Sequence, residues 1–250
     1  MSEQLKRALV IGGSNGIGLA IALELAQCYE CIYIIDKTKP NVQLPLNIRF
    51  ETVNLLDDDF GFLSHYDDID TLIYTAGFGR VAPFDNIIEQ EITNLFQVNA
   101  ISVFKVLNHY YPRLKKHEPF FCLVMGSIAG LVSSPLFALY SATKAAVCRG
   151  IESINIELEM SGTDNRILNV SPGSIKGTHF NGGENKLDLT ASLANEIVTH
   201  MLARETLFIP DYEKTFKGVI ERYNTDAHQF GIDSFQYKMR TGRMNLNPQL

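Results

Sequence analysis

The chain has 250 residues, 46% of them apolar and 20% charged, with a formal net charge of −6. That length suffices for one α/β domain with a sizeable core, and the composition is that of an ordinary globular protein. The acidic balance, with a pI near 5.5, offers no basic field for nucleic acid, and no apolar run approaches the roughly 18 residues of a membrane helix.

Lys6 and Arg7 precede the apolar run Ala8–Ile11, which is too short for a leader segment and meets glycines at once. A first strand, buried on both faces as in a parallel sheet, is expected there. Gly12-Gly13-Ser14-Asn15-Gly16-Ile17-Gly18 follows, and then Ile17, Ala20, Ile21 and Leu25 recur at helical spacing. Strand, glycine loop and helix in that order suit a dinucleotide. Glycines let the backbone approach the pyrophosphate, and the helix N-terminus supplies N–H groups and dipole. A plain glycine-rich turn is the competing reading. Cys31–Ile35 is the second buried strand, ending at Asp36, at the distance from the loop where a carboxylate holds the adenosine ribose hydroxyls. A carboxylate repels a 2′-phosphate, so NAD is favoured over NADP, although Lys37 next door is a cation that partly compensates.

Residues 37–47 hold Pro40 and Pro45 and no helical period, so the crossover helix is missing or very short. Ile48–Val53 is the third strand. Asp57-Asp58-Asp59 and Asp67-Asp68 read as solvated turns and helix starts, and no metal site is expected. Thr71–Tyr74 is a further strand, and the small residues of Thr75-Ala76-Gly77 let backbone approach the adenosine. Residues 89–111 carry the pattern of a long amphipathic helix that stops near Pro112. Asn99 lies in its apolar face and reads either as bonded only to backbone or as a relay residue behind Lys144.

Phe120–Met125 is another buried strand, with Ser127 just after it. Tyr140 and Lys144 are four apart and share a face of the helix expected over 138–160. A phenol with a reference pKa of about 10 is a poor acid–base at neutral pH, and a nearby ammonium lowers it. Tyr140 can then exchange a proton with a carbonyl or alcohol oxygen, while the Ser127 hydroxyl holds the same oxygen. Tyr-x-x-x-Lys alone is weak, being usually a solvated helix face. Ile167–Val170 reads as a strand leading into Ser171-Pro172-Gly173-Ser174-Ile175-Lys176-Gly177-Thr178, where the nicotinamide half belongs and Thr178 reaches the carboxamide. Phe180 to Leu189 suits a small mobile lid, and Leu136, Phe137 and Phe180 an apolar substrate pocket. Thr190 caps a helix running to Arg204, and Leu207–Ile209 is the last strand. Residues 211–250 read as an appendage, locally basic at Lys238, Arg240 and Arg243. It reads as packed on the domain or on a sister subunit, with a membrane-surface helix as the alternative. Cys28, Cys31, Cys122 and Cys148 make no disulfide framework. Cys28 and Cys31 have C-x-x-C spacing, but free core thiols in a reducing cytoplasm are the expectation.

The alternation of strands and helices argues for one doubly wound, Rossmann-type domain over 1–250, with a parallel sheet of about seven strands and an extension at 211–250. From Arg7 to Ile209 the motifs resemble the short-chain dehydrogenase/reductase family, in its single-domain branch. Gly12, Gly16 and Gly18 match the glycine triplet. Asn99, Ser127, Tyr140 and Lys144 match the catalytic tetrad, and Pro172, Gly173 and Thr178 match the loop that fixes the nicotinamide. The resemblance implies Tyr140 as acid–base, Lys144 on the nicotinamide ribose and lowering the Tyr pKa, Ser127 orienting the substrate oxygen and Asn99 continuing a proton relay through water. It also implies NAD or NADP as cofactor and a homodimer or homotetramer through the helices at 89–111 and 138–160. Ser14, Asn15, Ile17, Asn54, Leu55 and Ile175 complete the expected cofactor contacts. Four positions depart from the pattern: Ile11 stands for Thr, Tyr74-Thr75-Ala76-Gly77 for Asn-Asn-Ala-Gly, Asn54 for Asp, and 211–250 for the usual C-terminal segment.

The leading functional reading is hydride transfer between a nicotinamide and a small or medium alcohol/carbonyl substrate. A non-catalytic NAD(P)-binding sensor or scaffold is the alternative. A nucleotide-sugar epimerase or dehydratase is disfavoured by the short chain.

Overall fold

Apolar runs without alternation build the centre of the molecule, described in a computed structural model over residues 6–57, 59–178, 180 and 185–241. Seven strands form one sheet in the order β3-β2-β1-β4-β5-β6-β7. They are β1 (Arg7–Ile11), β2 (Cys31–Asp36), β3 (Ile48–Thr52), β4 (Thr71–Tyr74), β5 (Phe121–Met125), β6 (Ile167–Val170) and β7 (Leu207–Phe208). Every pairing is parallel. This is the doubly wound sheet expected from the sequence, and the chain reverses its direction of winding between β1 and β4.

Helices cover both faces. On one, α1 (Gly16–Leu25) and α5 (Leu187–Leu202) bury Leu19, Ile21, Leu25, Ile197 and Met201 against Val10, Ile34 and Leu168. On the other, α3 (Ser102–Leu114) and α4 (Ala138–Met160) bury Val103, Val106, Tyr110, Val147 and Ile151 against Leu9, Leu72 and Val124. No helix joins β2 to β3, as the two prolines foretold.

The expected helix over 89–111 is three pieces: α2 (Glu89–Phe96), a π-helical turn (Gln97–Ile101) and α3. It ends at Leu114, near Pro112 as expected. The proline lies in the last turn of α3, where its missing N–H removes a single helical bond. Thr190 is not a cap. Helix α5 starts at Leu187 with Asp188 in its first turn, and the buried Thr190 hydroxyl donates back to Leu187 O at 3.2 Å. The extension forms a π turn (Tyr212–Phe216), α6 (Lys217–Thr225) and α7 (Ala227–Arg240). Residues 242–250, and four residues (181–184) of the stretch read as a lid, lie outside the described residues. All four cysteines are free, but Cys28 is exposed just past α1, so only the other three are core thiols. Among the described residues no helix is long and apolar enough to cross a membrane.

Candidate active site

The C-terminal ends of the central strands converge on one crevice. At its floor, β1 runs into the glycine loop so closely to β4 that side chains are excluded. Gly12 has φ +85°, and a Cβ there would lie 2.3 Å from Ala76 N. A Cβ on Gly18 would lie 2.3 Å from Thr75 Oγ1. Thr75 donates to Gly12 O at 3.0 Å, so this departure from the family pattern fastens the glycine loop to β4. Tyr74, the other departure, points away from the crevice, and its hydroxyl meets Val98 O and Ser102 Oγ at 2.8 and 2.6 Å.

Helix α1 begins at this loop without a side-chain cap on Asn15 and without an acidic residue in its first turn. Its free N–H groups and positive dipole end are therefore directed into the crevice, a fit for an anionic group such as a pyrophosphate. The Gly16 N–H already donates to Asn185 Oδ1 at 3.0 Å, and Thr178 Cγ2 lies 3.5 Å from where a Gly16 Cβ would be. At the end of β2, Asp36 Oδ2 accepts from Ser14 N at 3.1 Å and from Ser14 Oγ at 2.5 Å, which fixes the carboxylate beside the loop. Lys37 is exposed. Asn54 turns onto its own chain, accepting from Leu56 N at 3.2 Å, and the adjacent Leu55 is buried.

At the β5 end, Ser127 caps the next turn by accepting from Ala129 N at 3.1 Å, leaving its hydroxyl proton for another acceptor. Tyr140, in the first turn of α4, is buried and packed between aromatic rings. Phe137 stacks on it at 4.3 Å and Phe180 tilts against it at 5.0 Å. Burial pushes its phenol pKa well above the ordinary value, while a hydrogen bond with Ser127 opposes the shift. Lys144 Nζ, one turn on, donates to Met125 O at 2.7 Å and lies 5.7 Å from the Tyr140 ring centre. Burial lowers the Lys144 pKa to about 8. The tyrosine is thus held up by desolvation rather than drawn down by Lys144, whose ammonium is turned to a strand carbonyl.

Asn99 lies within the π turn. Its amide accepts from Phe78 N at 3.0 Å and donates to Phe78 O at 2.8 Å and Thr143 Oγ1 at 3.2 Å. These partners are mainly backbone, and none is Lys144. Gly77 lies between the two side chains, for a Cβ there would be 3.2 Å from Asn99 Oδ1 and 3.5 Å from Lys144 Nζ. On the far wall, Ile128 N donates to Pro172 O at 3.0 Å and Thr178 Oγ1 to Ile175 O at 3.0 Å. The Phe216 ring covers Gly173, where a Cβ would meet it at 2.3 Å. Phe216 and Asn185 are site neighbours that sequence patterns did not single out. Phe216 opens an amphipathic pattern with Val219, Ile220 and Tyr223 that reads as part of the extension rather than of the site, and Asn185 lies in a polar stretch without periodicity.

Residues 61–188 match the family model for short chain dehydrogenase. The chain is 27% identical over 174 residues to a very-long-chain 3-oxoacyl-CoA reductase of Emericella nidulans, covering 62% of this chain and 50% of that protein. It is 26% identical over 182 residues to a 7beta-hydroxysteroid dehydrogenase of Clostridium sardiniense, covering 66% and 68%. An uncharacterized oxidoreductase of Staphylococcus epidermidis is 26% identical over 209 residues, covering 77% and 89%. The chain thus spans about half the length of the fungal reductases it matches. A solved short-chain dehydrogenase from Streptomyces avermitilis superposes with a TM-score of 0.75 at 20% identity, covering 97% of this chain and 99% of that one. One from Sphingobium yanoikuyae, in complex with NADPH, gives 0.70 at 19%, covering 89% and 96%. At such identities the solved structures speak for the fold, and the family model, spanning more than half of the chain, speaks for its descent. This chain belongs to the short-chain dehydrogenase/reductase family of oxidoreductases.

Proposed function

We propose that the protein transfers hydride between NAD and an apolar alcohol/carbonyl substrate, with Tyr140 as the acid–base. The observation that carries the proposal is the meeting of Tyr140, Ser127 and Lys144 at the sheet edge, beside the uncapped start of α1. The nicotinamide, when bound, supplies or takes the hydride. Tyr140 gives its proton to the carbonyl oxygen in reduction, and Ser127 Oγ donates to the same oxygen and orients it. Lys144 provides a cation whose burial makes it costly unless it meets an acceptor such as a ribose hydroxyl or a phenolate. Asn99 holds the Phe78 backbone and, through it, the floor of the crevice.

Asp36 supports NAD over NADP, since its fixed carboxylate repels a 2′-phosphate while the exposed Lys37 is free to point to solvent. Gly12, Ser14, Asn15, Gly16, Ile17 and Gly18 surround the phosphates in this reading, Asn54, Leu55, Ala76 and Gly77 the adenosine side, and Pro172, Gly173, Ile175 and Thr178 the nicotinamide. The aromatic rings of Phe137 and Phe180 over Tyr140 favour an apolar substrate, and two named relatives act on 3-oxoacyl-CoA and on a hydroxysteroid. The proposed assembly is a homodimer or homotetramer through α3 and α4, where Ile156 and Met160 are 58% and 81% exposed. A monomer mass by light scattering would count against it.

Fluorescence titration with NADH and NADPH is the first test. NADH is expected to bind more tightly, and turnover of a 3-oxoacyl-CoA, a hydroxysteroid or the apolar dicarbonyl phenanthrenequinone should then be lost in Tyr140→Phe. Tighter NADPH binding would overturn the NAD preference. Binding of neither would overturn the oxidoreductase mechanism.

A further inference from the structure

A buried ion pair next to Tyr140 takes no part in the chemistry above. Arg80 Nε donates to Glu91 Oε1 at 2.8 Å, and Arg80 Nη2 to Glu91 Oε2 at 2.9 Å. The two side chains are 1% and 0% exposed. Nη2 also donates to Asn86 O at 2.8 Å. Taking two charges out of water is costly and is offset only by good geometry and further hydrogen bonds, both present here. Apolar side chains would join this loop to this helix without that cost.

The surroundings of the pair show what it holds. Arg80 follows Gly79, whose backbone lies against the Tyr140 ring. A Cβ on Gly79 would be 2.6 Å from Tyr140 Cδ2 and 3.0 Å from Phe137 Cε2. Two residues on, Ala82 N–H donates to Leu136 O at 2.7 Å, tying the loop to the segment that leads into Tyr140. Glu91 precedes Leu95 by one turn of α2, and Leu95 packs on Tyr140. Arg80, Glu91, Leu95, Phe137 and Tyr140 line one cavity of about 30 Å³, room for about one water.

We infer that Arg80 and Glu91 are positioning residues for Tyr140: their ion pair clamps residues 78–82 to α2, and the clamped loop and helix hold the Tyr140 ring in its slot. The inference rests on the acid–base reading of Tyr140. The other polar groups facing the tyrosine are Ser127 from the β5 end and Lys144 and Cys148 from its own helix. An intact pair is nearly neutral as seen from Tyr140, and removing the charge of one partner changes the net charge beside it by one unit.

Two variants separate positioning from mere stability. Glu91→Gln keeps the shape and an acceptor but removes the carboxylate charge from beside a guanidinium that cannot lose its proton. The lost negative charge no longer disfavours the phenolate, so the alkaline limb of carbonyl reduction is expected to move to lower pH by about one unit. Arg80→Met with Glu91→Leu removes both charges, a replacement that is commonly neutral or stabilising. Its melting temperature should stay near the wild-type value, while kcat for phenanthrenequinone reduction falls about tenfold and KM changes by less than about twofold. Wild-type kcat in the double variant, with an unmoved limb in Glu91→Gln, would overturn the inference. Tyr140→Phe is the reference. If it turns over at the wild-type rate, the acid–base reading fails and this inference with it. If it is inactive while both pair variants match wild type, only this inference fails.

Discussion

Lys144 is 2% exposed and carries its ammonium on a single backbone carbonyl. Its pKa falls from 10.5 to about 8 through burial, which corresponds to about 3 kcal/mol of strain on the charged form. Below pH 8 the lysine is charged in both folded and unfolded chains, and that cost is present in full. Between pH 8 and 10.5 the folded chain loses the proton first, so wild-type stability recovers relative to a variant lacking the amine. Lys144→Met is therefore expected to abolish turnover yet unfold at higher urea at pH 7, by up to about 3 kcal/mol, with the gap closing toward pH 10.5. Equal stability at pH 7, or a gap that widens with pH, would contradict the account. This residue was legible in the sequence because a helix turn fixes its distance from Tyr140. Arg80 and Glu91 were not, since a loop residue and a helix residue 11 positions apart follow no period that would announce their meeting. The same holds for Ser14 and Asp36, each visible as a candidate but not as partners of one another.

At the scale of elements, the break between α2 and α3 matters most. A π turn adds one residue to the repeat without changing which side chains are apolar, so the sequence pattern of 89–111 reads as one continuous helix. The break nevertheless has a fastening. Tyr74, at the end of β4, reaches Val98 O, within the widened turn that contains Asn99, and Ser102 Oγ, at the start of α3 just past it. Tyr74→Phe should destabilise the protein by about 1 kcal/mol in urea unfolding, and not more, because Ser102 Oγ still donates to Val98 O at 2.7 Å. A loss of several kcal/mol would mean that the hydroxyl supports more than this turn. The strands were the most legible elements, because parallel strands covered on both faces leave unbroken apolar runs. The start of α5 was the least, because a threonine inside a helix can bond backward and so mimic a cap.

Across the whole molecule, the extension touches both sides of the proposed site. Phe216 lies on Gly173, and Lys238 Nζ, from α7, donates to Ser134 Oγ and Pro135 O at 2.7 Å each. Neither α6 nor α7 has a buried residue, so the two helices add little to the core while bracing two loops. Ending the chain after Pro210 should leave the sheet folded by circular dichroism. It should raise the substrate KM roughly tenfold, the equivalent of about 1.5 kcal/mol of lost apolar contact. An unchanged KM would make the extension a bystander. The sheet's own margins carry a different consequence. A bare outer strand offers its unpaired N–H and C=O groups to any other extended chain, and without a helix between β2 and β3 the outer strand has less cover. Here β3 sets the charges of Arg49 and Glu51 outward. Arg49 is steadied over the Tyr33 ring and Glu51 by the Tyr66 hydroxyl. The opposite margin, β7, is only two residues long. One border is guarded by charge and the other by brevity, so crowded copies of this protein find no ready template for fibre-like stacking.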